Sequence, residues 1–336
     1  MTSTTNHTGG RNTLHRSIGR LLKTLLTTVA ALGVLSTPAE AQTPGAAPKE
    51  LRIGYQKYGT LVILKARGTL EKRLADKGVA VKWTEFPFGP PLLEAINVGS
   101  IEVGTVGESP PIFAQAAGAD LVYIGNEPPA PSSEALIVPK DSTVRSVAEL
   151  KGRRIAVAKG SNANFLLIKL LENAGLKLTD VEVVYLPPAD ARAAFESGRV
   201  EGWAIWDPFL AAAEKQLNAR ILADGKGAVA NHQFYLSSRA YAEKHPEIVR
   251  ILLEEIDKVD QWGKQNPKEV AQFIAPLIGI ELPVVEVAAH RLSYGVKPVT
   301  PEVLDAQQKI ADKFYEVKLV PKQVRVSDAA WNPPKK

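Results

Sequence analysis

The sequence predicts an α/β fold made of two doubly wound units, and three observations carry that expectation. Short β-rich runs alternate with helical patterns from about residue 51, the alternation restarts from about residue 144, and two extended runs, 134–139 and 234–239, stand where the chain would pass between the units. Strand-then-helix alternation predicts a mostly parallel sheet with helices on both faces. Its repetition beyond an extended segment predicts a second such sheet.

In chain order, the first unit reads as strand 51–56, helix 61–77, strand 79–86, helix 91–98, strand 101–106, helix 110–117 and strand 121–125. The second reads as strand 154–158, helix 162–174, strand 181–186, helix 189–197, strand 202–205 and helix 208–217. After residue 239 the pattern turns helical, at 247–264, 267–274, 283–292 and 301–315. Prolines at or near the starts of these helices suit the first turn, where the missing N–H costs nothing. The end, 329–336, reads as a surface strap or a frayed tail. The expected division is a discontinuous first lobe, 51–138 with 238–336, and a second lobe, 139–237.

The 336 residues, 45% of them hydrophobic, are enough for two packed domains. Residues 1–41 read as a secretory signal: Arg11, Arg16, Arg20 and Lys23 precede an apolar run at 24–35, and Ala39-Glu40-Ala41 fits a small-x-small cleavage pattern. The expected cut follows Ala41, and 42–50 reads as a linker. The apolar run is shorter than the roughly 20 residues of a membrane-spanning helix, and no later segment qualifies. No paired arginines precede it, which favours general secretion over twin-arginine export. The leader holds much of the +5 formal charge, so the remainder is nearly balanced and gives no reason to expect a nucleic acid partner. With no cysteine, the chain has no disulfide, no thiolate nucleophile, no Cys-based metal site and no residue for a lipid anchor. A free periplasmic protein is expected.

Ligands in open α/β sheets bind beyond the carboxyl ends of the strands, where loops enter helix N-termini. Four such loops stand out: Gln56 to Thr60, in which Gly59 permits close backbone approach and Thr60 can cap a helix; Gly107, Glu108 and Ser109 ahead of Pro110; Ser161, Asn162 and Asn164 after Lys159-Gly160; and Trp206 with Asp207 ahead of Pro208. Unpaired N–H donors and about half a positive charge at each helix start make such a convergence an anion site. The same Ser, Thr and Asp residues are equally ordinary helix caps, whose task is folding. Trp206 is placed either against an organic ligand or in the core, and Trp203 in the core. Glu108 and Asp207 would repel an anion if aimed at it, so orienting donors or capping suits them better.

Enzyme signatures are sparse. His232, His245 and His290 are widely separated, without metal-ligand spacing, and the chain lacks G-x-S-x-G, H-E-x-x-H and Walker-A motifs. No cofactor or metal is expected.

The chain resembles the aliphatic sulfonate-binding proteins of bacterial ABC importers, the SsuA type, within a group that includes taurine- and nitrate-binding relatives. The resemblance runs from Leu51 to about Pro334 and is carried by LRIGYQK at 51–57, EAINVGS at 94–100, PPIFAQAAGADLVY at 110–123, PADARAAF at 188–195 and WAIWDP at 203–208. It implies a type II periplasmic binding fold: two α/β lobes joined by two crossing segments and closing over a ligand. It also implies a monomeric carrier of alkanesulfonates for sulfur acquisition, without enzymatic activity, with an ABC permease and its ATPase as partners. The implied pocket comprises Gln56, Gly59, Thr60, Gly107, Glu108, Ser109, Ser161, Asn162, Asn164, Trp206 and Asp207. Tyr58 and Thr60 depart from a Gly/Ser-rich pattern, Asn162 and Asn164 stand where Ser or His is common, and Ser109 after Glu108 is not the commonest pairing, so the anion is better specified than the tail behind it. Taurine, nitrate or a pyrimidine precursor are the alternative ligands; an amino-sulfonate would need Glu108, Glu127 or Asp207 to receive its ammonium. An enzyme on the same scaffold would want a cysteine, or a histidine such as His232 beside Trp206.

Overall fold

The computed structural model describes residues 47–333. The expected leader, its cleavage point and most of the linker lie outside the described residues.

Among the described residues, ten strands form two five-stranded sheets. The first contains β1 (Glu50–Tyr55), β2 (Ala80–Glu85), β3 (Val103–Gly107), β4 (Leu121–Asn126) and β10 (Gln233–Ser238), in the order β2-β1-β3-β10-β4. The second contains β5 (Glu134–Val138), β6 (Arg154–Val157), β7 (Glu182–Tyr185), β8 (Gly202–Trp206) and β9 (Arg220–Asp224), in the order β7-β6-β8-β5-β9. β1, β2 and β3 are parallel, as are β6, β7 and β8. In each sheet the fourth strand, β10 or β5, runs antiparallel to both neighbours.

That arrangement corrects two expectations. The runs 134–139 and 234–239, expected to bridge the lobes, are mainly strands inside them: β5 pairs with β8 and β9, and β10 with β3 and β4. Every residue of β5 is buried, as are 234–237 of β10, and such apolar runs gain more inside a sheet than along a crossing. The crossings are therefore 127–133 and 225–232, and the expected lobe boundaries at 138 and 237 move by one strand each. The strand-and-helix alternation does not announce β9.

Helices cover both faces of each sheet. In the first lobe, α1 (Thr60–Arg67) and α2 (Thr69–Ala75) replace the single expected helix, because Gly68 takes the left-handed conformation between them (φ 61°). α3 (Gly89–Asn97) and α4 (Pro110–Ala117) follow, and α8 (Arg239–Lys244), α9 (Pro246–Gln265), α10 (Pro267–Ile278), α11 (Leu282–Arg291) and α12 (Pro301–Glu316) return after the second lobe. That lobe carries α5 (Asn162–Asn173), α6 (Pro188–Glu196) and α7 (Phe209–Gln216). Leu51, Ile53, Leu64 and Leu252 fill one side of the first sheet, and Leu92, Val106, Phe234 and Phe314 the other. In the second lobe Leu136, Leu166 and Ala204 lie on the α5 side, with Ile137, Phe195 and Trp203 opposite. Near the described end, Ala330 bridges to Tyr123 and Trp331 packs on the first lobe's core. No helix among the described residues is long and apolar enough to cross a membrane.

The lobes touch at two places beside the cleft. On one side Phe165 of α5 meets Phe314 of α12 (ring centroids 5.7 Å apart), which in turn meets Phe113 of α4 (4.9 Å), and Lys313 pairs with Glu172 at 2.9 Å. On the other, Ala211 and Ala212 of α7 pack on Val284 and Ala288 of α11, and Arg291 grips Glu214 with two bonds of 2.7 and 3.1 Å.

Candidate functional site

The carboxyl ends of both sheets face one cleft. At its centre is a small polar cavity of about 30 Å³, lined from the first lobe by Gln56, Tyr58, Gly89, Gly107, Pro110 and Gln233 and from the second by Ser161, Asn162 and Trp206, with Ser133 and Asn231 contributed by the two crossings. Gly89, Pro110 and Asn162 are the first helical residues, or first-turn residues, of α3, α4 and α5. Three helix N-termini thus meet here with their positive dipole ends, although the prolines at 90, 91, 110 and 111 carry no N–H, so α3 and α4 contribute fewer backbone donors than α5.

The polar lining is neutral and held in place. Gln56 donates to the Thr105 carbonyl (3.1 Å). The Ser161 hydroxyl donates to the Ala158 carbonyl (2.7 Å) and accepts the Asn164 N–H (3.2 Å), capping α5. Tyr58 reaches across to the Ser133 hydroxyl at 3.4 Å, and burial raises its pKa, so it stays a neutral donor. Asn231 has a left-handed backbone (φ 54°) and donates from its side chain to the Ala130 carbonyl and the Ser133 hydroxyl, both at 2.9 Å. Asn162 donates to Asn231 Oδ1 (2.5 Å), while its own Oδ1 accepts the Ser109 N–H (3.1 Å). A Cβ at Gly107 would overlap the Asn162 side chain as it lies here, so the glycine gives that side chain its place.

A second, larger pocket of about 250 Å³ shares Gln56, Tyr58 and Trp206 with this cavity. Phe86 and Pro87 wall it from the first lobe, and Pro187, Pro188, Pro208 and Phe209 from the second. Trp206 is set by an edge-on contact with Phe209, ring centroids 6.1 Å apart. A mostly apolar sleeve, with Lys57 and Glu85 also in its lining, therefore leads from the polar cavity outward.

Of the residues expected in the site, Gln56, Gly107, Ser161, Asn162 and Trp206 line the cavity. The others stand behind it. Gly59 (φ 80°) is the residue before α1, so Thr60 does not cap that helix as expected; its hydroxyl donates to Asp260 at 2.5 Å. Glu108 is buried and receives the backbone N–H groups of Asn231 (3.2 Å) and His232 (2.9 Å), and burial lifts its pKa to about 7 despite those bonds. Ser109 precedes α4, but its buried hydroxyl makes no capping bond and has no partner among the described residues. Asn164 accepts the Gly160 N–H (3.1 Å) and so shapes its own loop. Asp207, also pushed to about 7 by burial, accepts the Ala211 N–H (3.0 Å) at the start of α7 and lies 3.5 Å from Arg291.

None of the three carboxylates considered as ammonium acceptors lines the cavity. Glu108 and Asp207 are turned to the partners just named, and Glu127 receives the Tyr235 hydroxyl at 2.6 Å beside Asp260. His232 turns its Nδ1 to the Glu127 carbonyl (2.8 Å) and its ring to Phe234, and is not a lining residue. Trp203 is in the core, as expected. Sequence reasoning missed Gly89, Ser133, Asn231 and Gln233, and treated Tyr58 only as a departure from a pattern. Only Gly89 carried a local signal, the turn-forming Gly-Pro pair.

Two α/β lobes, two crossings and a cleft at the strand ends where helix starts converge define a type II periplasmic binding protein. Residues 74–270 match the NMT1/THI5 like family. The chain is 44% identical over 307 residues to a putative aliphatic sulfonates-binding protein of Escherichia coli K12, covering 91% of this chain and 96% of that one. A protein of the same description from Bacillus subtilis 168 is 33% identical over 286 residues, covering 84% and 86%. Among solved structures, the alkanesulfonate-binding protein SsuA from Xanthomonas axonopodis pv. citri bound to MOPS superposes with a TM-score of 0.81 at 43% identity, covering 85% of this chain and 99% of that one. The chain belongs to the aliphatic sulfonate-binding proteins of the NMT1/THI5 like family. More distant structures, including the desulfurization enzyme DSZB (TM-score 0.61, 16% identity) and the nitrate-binding NrtA of Synechocystis PCC 6803 (0.66, 13%), share the fold.

Proposed function

We propose that the protein captures aliphatic sulfonates in the periplasm for an ABC importer, holding the head group in the polar cavity and the tail against Trp206, and changes no bond in them. The observation that carries this reading is the charge pattern of the cleft: the residues lining the cavity are neutral and include no carboxylate, Glu108, Glu127 and Asp207 face partners behind it, and Glu134, buried beside Glu108 with neither oxygen bonded among the described residues, is held well above its ordinary pKa by burial and so keeps its proton. A sulfonate is ionised at any physiological pH and has acceptor oxygens but no proton to give, so donors without a facing carboxylate suit it. The apolar sleeve beside Trp206 supports an organic tail over a bare oxyanion. Gly59, Thr60, Glu108, Ser109, Asn164 and Asp207 belong to this reading as the frame that orients the lining. Capture proceeds by lobe closure, and a permease with its ATPase reads the closed form.

Calorimetry of the mature protein tests the ligand. Ethanesulfonate and propanesulfonate should bind, with taurine, sulfate and nitrate weaker, since an ammonium finds no carboxylate in the cavity lining and only Glu85, 3.9 Å from Lys57, in the sleeve, and the small anions leave the sleeve empty. Binding of nitrate or a pyrimidine without any sulfonate would overturn the assignment.

A further inference from the structure

The N-termini of α4 and α5 approach each other across the cleft, and their positive dipole ends repel unless something negative lies between them. In this structure the Asn162 side chain lies there. It is buried, it grows from the first residue of α5, and its amide oxygen accepts the Ser109 N–H at the α4 start from 3.1 Å. Its amide nitrogen is steered by Asn231 Oδ1 at 2.5 Å and lies 3.5 Å from the His232 carbonyl, which fixes the oxygen toward Ser109. Gly107 supplies the room, and little of the cavity is left once Asn162 is in place.

We infer that Asn162 is an internal stand-in for the anionic head group, competing with the ligand for the donor at the start of α4 and thereby setting the protein's affinity. The inference rests on the anion-site reading above. An amide oxygen carries a partial negative charge, so it satisfies the α4 donor and eases the facing dipoles; a sulfonate oxygen carries more charge and does both better. Binding therefore exchanges one acceptor for another, and the ligand's gain is the difference between them rather than a whole hydrogen bond. The amide's departure also vacates volume that the head group then fills. Asn162 is thus a residue that limits affinity, opposite in sign to a direct ligand donor.

The test uses the mature protein, Asn162→Ala and Asn162→Ser, titrated with propanesulfonate and with inorganic sulfate. Serine is too short to span from α5 to Ser109, so both variants release the donor. Binding of either probe should tighten about three- to tenfold, the worth of one hydrogen bond no longer displaced. Weaker or unchanged binding in both variants would overturn the inference and mark Asn162 as a direct donor or a bystander, leaving the anion site standing. Hydrogen exchange at the Ser109 amide reads the same contact without any ligand. It should be faster in both variants than in the parent protein, and equal rates would sink the inference even if no sulfonate bound and the ligand assignment itself had failed.

Discussion

The side chain of Asn231 ties together segments far apart in the chain: it donates to Ala130 and Ser133 on the outward crossing and accepts from Asn162 on α5, while its backbone N–H reaches Glu108. Asparagine tolerates the left-handed backbone this position demands better than most residues do. Glu108, in turn, is where pH should act. Its folded pKa of about 7 lies above its ordinary 4.5, so its contribution to stability is full below about pH 4.5 and is lost as pH rises through about 7. Asp207, raised from 3.8 to about 7, acts in the same direction. Urea unfolding should therefore show stability falling between about pH 5 and 7, and Glu108→Gln should flatten that slope; an unaltered slope would count against a buried, proton-retaining Glu108. Trp206 makes a different prediction. Trp206→Ala should weaken hexanesulfonate by about 1–2 kcal/mol and leave sulfate little changed, because only the longer ligand reaches the indole. Equal losses by calorimetry would remove Trp206 from the sleeve.

At the scale of elements, the parallel half of each sheet was legible because strand and helix patterns alternate along the chain and helix starts carry Ser, Asp and Pro. The four loops beyond the strand ends were legible for the same reason, and five of the eleven expected residues line the cavity. What was not legible depends on long-range pairing. β5 and β10 have the apolar extended pattern of any bridging or buried strand, and only their partners, β8 and β9 or β3 and β4, decide which lobe holds them. Ser133 and Asn231 reach the site through the crossings, where no periodicity announces them. The capping role expected of Thr60 failed because a distant carboxylate, Asp260 on α9, claimed its hydroxyl.

For the whole molecule, the two contacts beside the cleft share one design, apolar side chains with an ion pair at the edge: Phe165 and Phe314 with Glu172–Lys313, and Ala212 and Val284 with Glu214–Arg291. Neither ion pair involves a cavity-lining residue, so they bias closure without discriminating between ligands. Apparent affinity scales with the closed fraction. Glu214→Gln should thus raise the radius of gyration of the ligand-free protein by small-angle scattering and weaken every sulfonate by a common factor of about three to five. A loss that varied with tail length would instead place Glu214 in tail recognition.

The position of β10 bears on how the chain comes together. All strands of the second sheet lie between residues 134 and 224, so a chain emerging N-terminus first holds everything that sheet needs before β10 appears. β3 and β4, by contrast, have no partner between them until residues 233–238 arrive, more than a hundred residues after β4. Both are almost wholly buried in the finished protein, so during that interval the first lobe presents two apolar strands with unpaired edges. The stretch of the chain most prone to aggregate on the way out is therefore the half-built first sheet, and the passage of a single late strand ends the exposure.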